Sequence, residues 1–262
     1  MPLTYESYLK LPELLDLQEV RSDPEEHDEL LFIVIHQAYE LWFKLLLHEL
    51  GKIRRDFEAG NLWGAVSTFQ RCRTVMKTLV GQLDILETMT PMSFTSFRDR
   101  LETSSGFQST QFREVEFMLG YKRPGVMKLA GVDEGGVGWT AAERRLAEPS
   151  VVDAFARFVA TLGEAVPQDL LERDVTEPTA PDERMQDILE RIYKTRPDVA
   201  ILLELMTDFD EGLQEWRYRH VKVVERTIGA KQGTGGSPGV DFLKRSLFRP
   251  VFPDLWAIRH RL

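Results

Sequence analysis

Helical periodicity constrains the fold of this chain more than any other feature of its sequence. Over most of the 262 residues, apolar side chains recur at spacings of three and four, and the alternation typical of strands is almost absent. Three long helices are expected, at residues 24–57, 62–89 and 198–228. The pattern predicts an all-α fold in which residues 1–262 form a single-domain helical bundle.

The first long helix allows two more detailed predictions. The residues at its start predict an N-cap at Asp23, the first helical residue at Pro24 and an acidic residue of the first turn at Glu26. Residues 30–35 are apolar on every side of the helix. A stretch without a polar face favours a position at the buried centre of the bundle.

The periodicity weakens between residues 121 and 181, where several glycines and prolines interrupt short helices such as 150–162. This region is predicted to be a small, less regular helical insertion or a mobile outer layer. Residues 229–239, which contain the run GTGGSPG, are expected to form a long loop.

Composition excludes several classes of protein. Hydrophobic residues make up 43% of the chain, too many for a disordered protein, and 33 basic against 42 acidic residues disfavour nucleic-acid binding through phosphates. The N-terminus lacks the pattern of a signal peptide, and no stretch approaches the roughly 20 apolar residues of a membrane span, so no membrane association is expected. Because Cys72 is the single cysteine, a reducing compartment and a cytoplasmic location are predicted.

Two histidines are the first candidates for chemistry, since P-loop, His-Glu-x-x-His and Gly-x-Ser-x-Gly patterns are all missing from the sequence. His36 shares a helix face with Phe32 and Phe43, and His220 lies one turn after Trp216. A neutral imidazole on such an aromatic face is a suitable axial ligand for haem iron. The alternative for each is a core histidine whose ring nitrogens bond to carbonyls.

Arg98 is the third candidate. A short helix after Pro91 would place it on the same face as Phe94, Phe97 and Leu101. A guanidinium in these surroundings is suited to a two-pronged ion pair with a carboxylate, or it extends to water or pairs with a structural acid. The glycine-rich loop that contains Thr234 is either a flexible linker or a lid over a ligand.

Several of these segments together resemble the tryptophan 2,3-dioxygenase family. They occur in the expected order along the chain, and their joint occurrence is highly specific. The segments are HDELLFIVIHQ at 27–37, ELWFK at 40–44, FR at 97–98, SSGFQS at 104–109, WRYRH at 216–220, GTGGSPG at 233–239 and FPDLW at 252–256.

The resemblance implies an all-α homotetramer with one haem b, ferrous in the active state, in each subunit. It implies that both atoms of the co-substrate O2 are inserted across the C2–C3 bond of L-tryptophan. The product would be N-formyl-L-kynurenine, in the kynurenine pathway of tryptophan catabolism.

The resemblance also implies roles for individual residues. His220 would be the ligand of the haem iron, His36 the catalytic distal histidine, and Phe32 a contact of both haem and substrate. Arg98 would bind the substrate carboxylate, and Thr234 the ammonium or carboxylate group. Further substrate contacts are implied for Leu101, Ser105 and Gly106, and for Tyr5 and Tyr8 of a neighbouring subunit, which would be reached by an arm of residues 1–20.

Two alternatives stand beside this interpretation. Related haem enzymes of secondary metabolism insert one oxygen atom into a substituted tryptophan and give an oxindole. A haem- or indole-binding sensor without turnover would need an output domain, and none is visible in the sequence. Phe94 also stands where some family members carry a tyrosine whose hydroxyl contacts the carboxylate.

Overall fold

The computed structural model describes residues 2–129, 134–234 and 239–262. Within these ranges all regular structure is helical and no strand occurs, which confirms the all-α prediction. The helices are α1 Tyr5–Leu9, α2 Leu11–Leu15, α3 His27–Glu58, α4 Leu62–Leu86, α5 Pro91–Arg98, α6 Thr110–Met118, α7 Val126–Leu129, α8 Val137–Ala147, α9 Val151–Thr161, α10 Gln168–Leu171, α11 Glu183–Thr195, α12 Pro197–Ile228, α13 Val240–Lys244 and α14 Pro253–Ala257.

The three long helices α3, α4 and α12 form the centre of the bundle, with α4 packed between the other two. The residues of α4 that step by threes and fours are buried as their spacing predicts, among them Phe69, Leu79 and Leu83. The two helices α4 and α12 approach closely at Gly212, where an added Cβ would lie 3.2 Å from the Cβ of Met76. A glycine at this crossing therefore sets the distance between two central helices.

The start of α3 differs from the prediction. The helix begins at His27, and its N-cap is Glu26, whose side chain makes no capping hydrogen bond. The carboxylate of Glu29 instead accepts hydrogen bonds from the backbone amides of Arg21 and Ser22, and the Ser22 hydroxyl accepts one from the amide of Glu26. These bonds hold residues 21–26 outside the helix, so the prediction that Asp23 and Pro24 begin it was wrong.

The apolar run in α3 is not buried on every side, contrary to expectation. Ile35 is buried, but Leu30 and Val34 are each 44% exposed and Leu41 is 55% exposed. One face of α3 packs against α4, α6 and α9, whereas the face that includes Leu30 and Val34 stays largely exposed among the described residues. The helix also contains an 18-residue window with a mean hydropathy of 1.5, of which 22% is buried.

By length and composition alone, α3 is therefore long and apolar enough to cross a membrane, which the sequence reasoning did not expect. The core helices of soluble proteins reach the same length and apolar composition. The face of α3 that includes Tyr39, Phe43 and Phe57 lies in the protein core, as in such helices.

The segment between α6 and α11 is helical where the structure describes it, and part of it belongs to the core. Helix α9 packs on α3, and its Val151, Ala154 and Phe158 are buried in the main hydrophobic core. Helix α8 packs on α6, and a small hydrophobic cluster of Phe117, Val126, Met127, Trp139 and Ala142 joins them. The buried ammonium group of Lys122 donates to the main-chain carbonyls of three residues at the C-terminal end of α8, at 2.6–2.9 Å. The region of weak periodicity thus contains regular helices, and α8 is fastened to α6, in the part that the structure describes.

Candidate active site

An apolar cavity of about 240 Å³ lies among α3, α5, α6, α12 and the segment that leads into α13. It is lined by aromatic and aliphatic side chains, with a few polar groups among them. Both candidate histidines, His36 from α3 and His220 from α12, line this one cavity, and so does Arg98. The cavity therefore brings together the three residues that the sequence analysis singled out first.

The tautomer of His36 follows from its hydrogen bond. Its Nδ1 lies 2.7 Å from the main-chain carbonyl oxygen of Phe32, and a carbonyl only accepts, so Nδ1 carries the proton. Burial lowers the pKa of His36, which keeps the ring neutral. The Nε2 atom of His36 is consequently left as a hydrogen-bond acceptor. The Phe32 ring, 4.0 Å away between centroids, covers one side of the imidazole.

His220 has different surroundings. Its ring lies parallel to that of Trp216, with a centroid separation of 5.1 Å and an interplanar angle of 3°. Burial lowers the pKa of His220 to about 4, so the imidazole is neutral at physiological pH. Its remaining accessible surface lies within the cavity, and neither ring nitrogen has a hydrogen-bond partner in the described part of the chain. The alternative of a core histidine bonded to carbonyls thus fits His36 in part and does not fit His220.

A buried charged cluster forms another wall of the cavity. The carboxylate of Glu116 contacts the guanidinium groups of Arg113 at 2.5 Å, Arg123 at 2.6 Å and Arg217 at 3.3 Å. Although burial opposes ionisation, the three guanidinium groups hold the pKa of Glu116 below its ordinary value. Three cations against one anion leave the cluster with a formal charge of +2.

The cluster also has unused hydrogen-bond donors. The Nε–H groups of Arg113, Arg123 and Arg217 are buried and have no acceptor among the residues that the structure describes. The excess positive charge of this cluster at the cavity wall suits a ligand that brings anionic oxygens into the cavity. A haem, with two propionate carboxylates and an iron that takes an imidazole nitrogen, meets both requirements of this site.

Arg98 ends α5 and is half-buried at the cavity. Its Nη2 donates to the main-chain carbonyl of Gln232 at 2.6 Å, and no acidic partner is found among the described residues. Gly233 and Thr234, which follow in the chain, also line the cavity. The guanidinium thus connects α5 to the start of the glycine-rich loop, whose residues 235–238 lie outside the described ranges.

The other predicted site residues divide into two groups. Phe32, Ser105, Gly106 and Thr234 line the cavity with the residues above. Leu101 packs against the hydrophobic core and is not among the lining residues. Tyr5 and Tyr8 lie on α1 and are 76% and 70% exposed, away from the cavity of their own chain.

Sequence reasoning missed the Glu116 cluster. Its members come from α6, from the turn after α6 and from α12, so only the tertiary fold brings them together. One signal was present: Arg113 and Glu116 stand three residues apart on a helix face that also includes apolar residues. Arg217 belongs to the WRYRH segment, whose sequence alone indicates no role for this arginine.

The fold and the cavity together define a class: an all-helical protein with an apolar cavity between two histidine-bearing helices. A sequence model of the tryptophan 2,3-dioxygenase family matches residues 1–130 and 187–262. A protein named tryptophan 2,3-dioxygenase from Herpetosiphon aurantiacus is 52% identical over 258 residues, which cover 98% of this chain and 97% of the relative.

A second protein of that name, from Anaeromyxobacter sp. strain K, is 50% identical over 260 residues, which cover 99% of this chain and 96% of the relative. A third, from Saccharopolyspora erythraea, is 43% identical over 260 residues, covering 98% and 92%. The chain belongs to the tryptophan 2,3-dioxygenase family. The resemblance seen in its sequence motifs is confirmed.

Proposed function

We propose that this chain is a haem-dependent enzyme that inserts both atoms of O2 across the C2–C3 bond of L-tryptophan and gives N-formyl-L-kynurenine. Dioxygenation of tryptophan is the activity that its family and its relatives' names indicate. One observation supports both the cofactor and the location of the site. Two neutral, buried histidines, from α3 and α12, line one apolar cavity, and Arg98 lies at its wall.

The residues that would hold haem b are His220 and the Glu116 cluster. His220 offers a neutral nitrogen without a competing partner, as an axial ligand requires. The cluster offers a net positive charge for the propionate groups. When bound, ferrous haem supplies the binding and activation of O2.

His36 would face the substrate from α3. Its Nε2 accepts a hydrogen bond, and the indole N–H of tryptophan is a donor only. This pairing fixes the orientation of the indole ring and leaves His36 able to take the indole proton. The rings of Phe32, Phe94 and Phe97, within 5.7 Å of one another, exclude water from this side.

The amino-acid end of the substrate would be held at the cavity wall. Arg98 is a cation without an acidic partner among the described residues, which suits a ligand carboxylate. Thr234 and Ser105 supply hydroxyl groups, and Gly106 lets the backbone approach the ligand. Leu101, which follows Arg98 by three residues, stays a prediction as a substrate contact.

The assembly is proposed to be a homotetramer in which residues 1–20 reach a neighbouring subunit. Tyr5 and Tyr8 are exposed on a short helix that is not packed on the cavity of its own chain. The uncovered face of α3, with Leu30 and Val34, offers apolar surface for a subunit contact. A cytoplasmic location is proposed from the single buried cysteine and from the catabolic role.

Product mass tests the proposed reaction. The purified ferrous protein is mixed with isotopically labelled O2 and L-tryptophan, and the product is analysed by mass spectrometry. A gain of two labelled oxygen atoms is expected. A gain of one atom would indicate the oxindole-forming alternative, and an unchanged substrate with bound haem would indicate a binding protein without turnover.

A further inference from the structure

Asp210 is a buried carboxylate that takes no part in the site described above. It lies in α12, ten residues before His220, and its side chain belongs to a fully buried residue. It accepts hydrogen bonds from the backbone amides of Val251 and Phe252, both at 2.9 Å, and from the indole N–H of Trp256 at 3.0 Å. These three donors belong to residues 249–258, which we call the closing segment, and a longer fourth bond of 3.4 Å comes from Nε2 of Gln214 in α12 itself.

The closing segment reaches the cavity at its other end. The main-chain carbonyl of Arg249 accepts a hydrogen bond from Nη1 of Arg217 at 2.8 Å. The same guanidinium contacts Glu116 through Nη2 and lines the cavity. Asp210 and Arg217 are seven residues apart, which is two helical turns, so one face of α12 holds the closing segment at two points.

Apolar packing already anchors the closing segment. Phe252, Leu255 and Ile258 are buried in the core and contribute most of the burial of this segment. Such packing tolerates small shifts along the chain, whereas hydrogen bonds to two successive amides fix the backbone position to within a few tenths of an ångström. Asp210 thus determines where the Arg249 carbonyl stands, over and above keeping the segment folded.

Burial of the Asp210 carboxylate costs free energy of folding. Burial raises the pKa of Asp210, against the opposing effect of the amide donors. Hydrophobic residues of similar volume are often as stabilising as a buried charge. The retained charge is therefore better explained by the geometry it imposes than by the stability it adds.

We propose that Asp210 is a positioning residue of the active cavity, which fixes the amides of Val251 and Phe252 and so places the Arg249 carbonyl that orients Arg217. The proposal rests on the proposed function, because Arg217 belongs to the cluster assigned to the haem propionates. The FPDLW motif, which the proposed reaction does not use, thereby receives a role: it presents the amide of Phe252 and the indole of Trp256 to Asp210.

The first test is Asp210→Asn in the full-length holoprotein. Asparagine keeps the size and, at the Oδ2 position, one acceptor oxygen, but it removes the charge and places an NH2 group against the amide of Val251, which also donates to Oδ1 at 3.1 Å. Haem loss from the ferric protein is measured by transfer to excess apomyoglobin. A haem dissociation rate at least tenfold above that of the wild type is expected, and a rate within twofold of wild type would overturn the proposal.

A second pair of variants separates positioning from general stability. In an Arg217→Met background, Asp210→Asn should change haem dissociation by less than twofold, because the residue through which it acts is gone; an equally large acceleration there contradicts the proposal. Asp153→Asn is the matched control, since Asp153 is a buried carboxylate bonded to Ser150 and Arg173 outside the cavity. It should lower the melting temperature without changing haem loss.

Two further outcomes are assigned in advance. If wild-type protein purified with excess haem holds none, the proposed function fails, and this result is distinct from a failure of the Asp210 proposal. If Asp210→Asn does not fold, Trp256→Phe replaces it, because it removes one of the three donors and keeps the ring. That variant should release haem two- to fivefold faster, and an unchanged rate would overturn the proposal.

Discussion

Replacement of Arg98 by leucine should remove the discrimination between L-tryptophan and tryptamine, which lacks the carboxylate. Arg98 is half-buried and has no acidic partner in the described residues, so a substrate carboxylate would be its counter-ion. A hydrogen bond to a charged group contributes about 1.5–3 kcal/mol, which corresponds to roughly 10- to 150-fold in affinity. Wild-type protein is expected to prefer L-tryptophan by a factor in this range.

The hydrogen bond from Arg98 to the Gln232 carbonyl complicates the comparison, since Arg98→Leu also loosens the start of the glycine-rich loop. That loss affects both ligands, so it lowers both affinities and leaves their ratio unchanged. The assay is therefore the ratio of dissociation constants for L-tryptophan and tryptamine, from the change in the haem absorption spectrum on titration. Arg98→Lys keeps the cation and should retain part of the preference. If Arg98→Leu keeps the full wild-type ratio, the carboxylate is bound elsewhere and the role of Arg98 is refuted.

Four other results are expected. His220→Ala should lose the normal Soret band while His36→Ala keeps it, and normally ligated haem in His220→Ala would exclude the assigned ligand. Deletion of residues 1–10 should raise KM more than it lowers haem content, and an unchanged KM would argue against a shared pocket. Because burial lowers the pKa of His36 from its ordinary value of 6.5, the decrease in kcat/KM on acidification, as the neutral form is lost, should be centred below pH 6.5; a decrease centred above 6.5 would contradict this. Gly239 has φ +70° and ψ −156°, a backbone conformation that strains any other residue. Gly239→Ala should therefore raise KM several-fold at nearly unchanged melting temperature. Wild-type kinetics in this variant would show that the loop tolerates the change.

The sequence predicts the long helices well because their apolar spacing is a local property. Helix α4 begins at Leu62 as expected and ends at Leu86, three residues before the predicted end. The start of α3 was missed because the carboxylate of Glu29 bonds to amides that precede the helix, a contact that no cap motif encodes. The exposure of Leu30 was missed because hydrophobicity states what a side chain prefers to contact, not which neighbour is present.

The candidate site shows the same division. His36, His220 and Arg98 could be singled out because a polar residue on an apolar helix face is visible in one segment. The cluster of Arg113, Glu116, Arg123 and Arg217 could not, since it depends on how three segments pack. The tautomer of His36 likewise needed the distance to the Phe32 carbonyl.

The bonds of Lys122 to the end of α8 have a consequence for how the sequence of α8 can vary. Lys122 belongs to the part of the chain that the family model matches, whereas its three acceptors, in residues 145–148, belong to the part that it does not match. Every acceptor is a main-chain carbonyl, and every helix presents such carbonyls at its C-terminus whatever its side chains. The hydrogen bonds of Lys122 therefore do not depend on the side chains of α8. A foreign helix that ends at the same place could be grafted onto this core, with the lysine on the core side left unchanged.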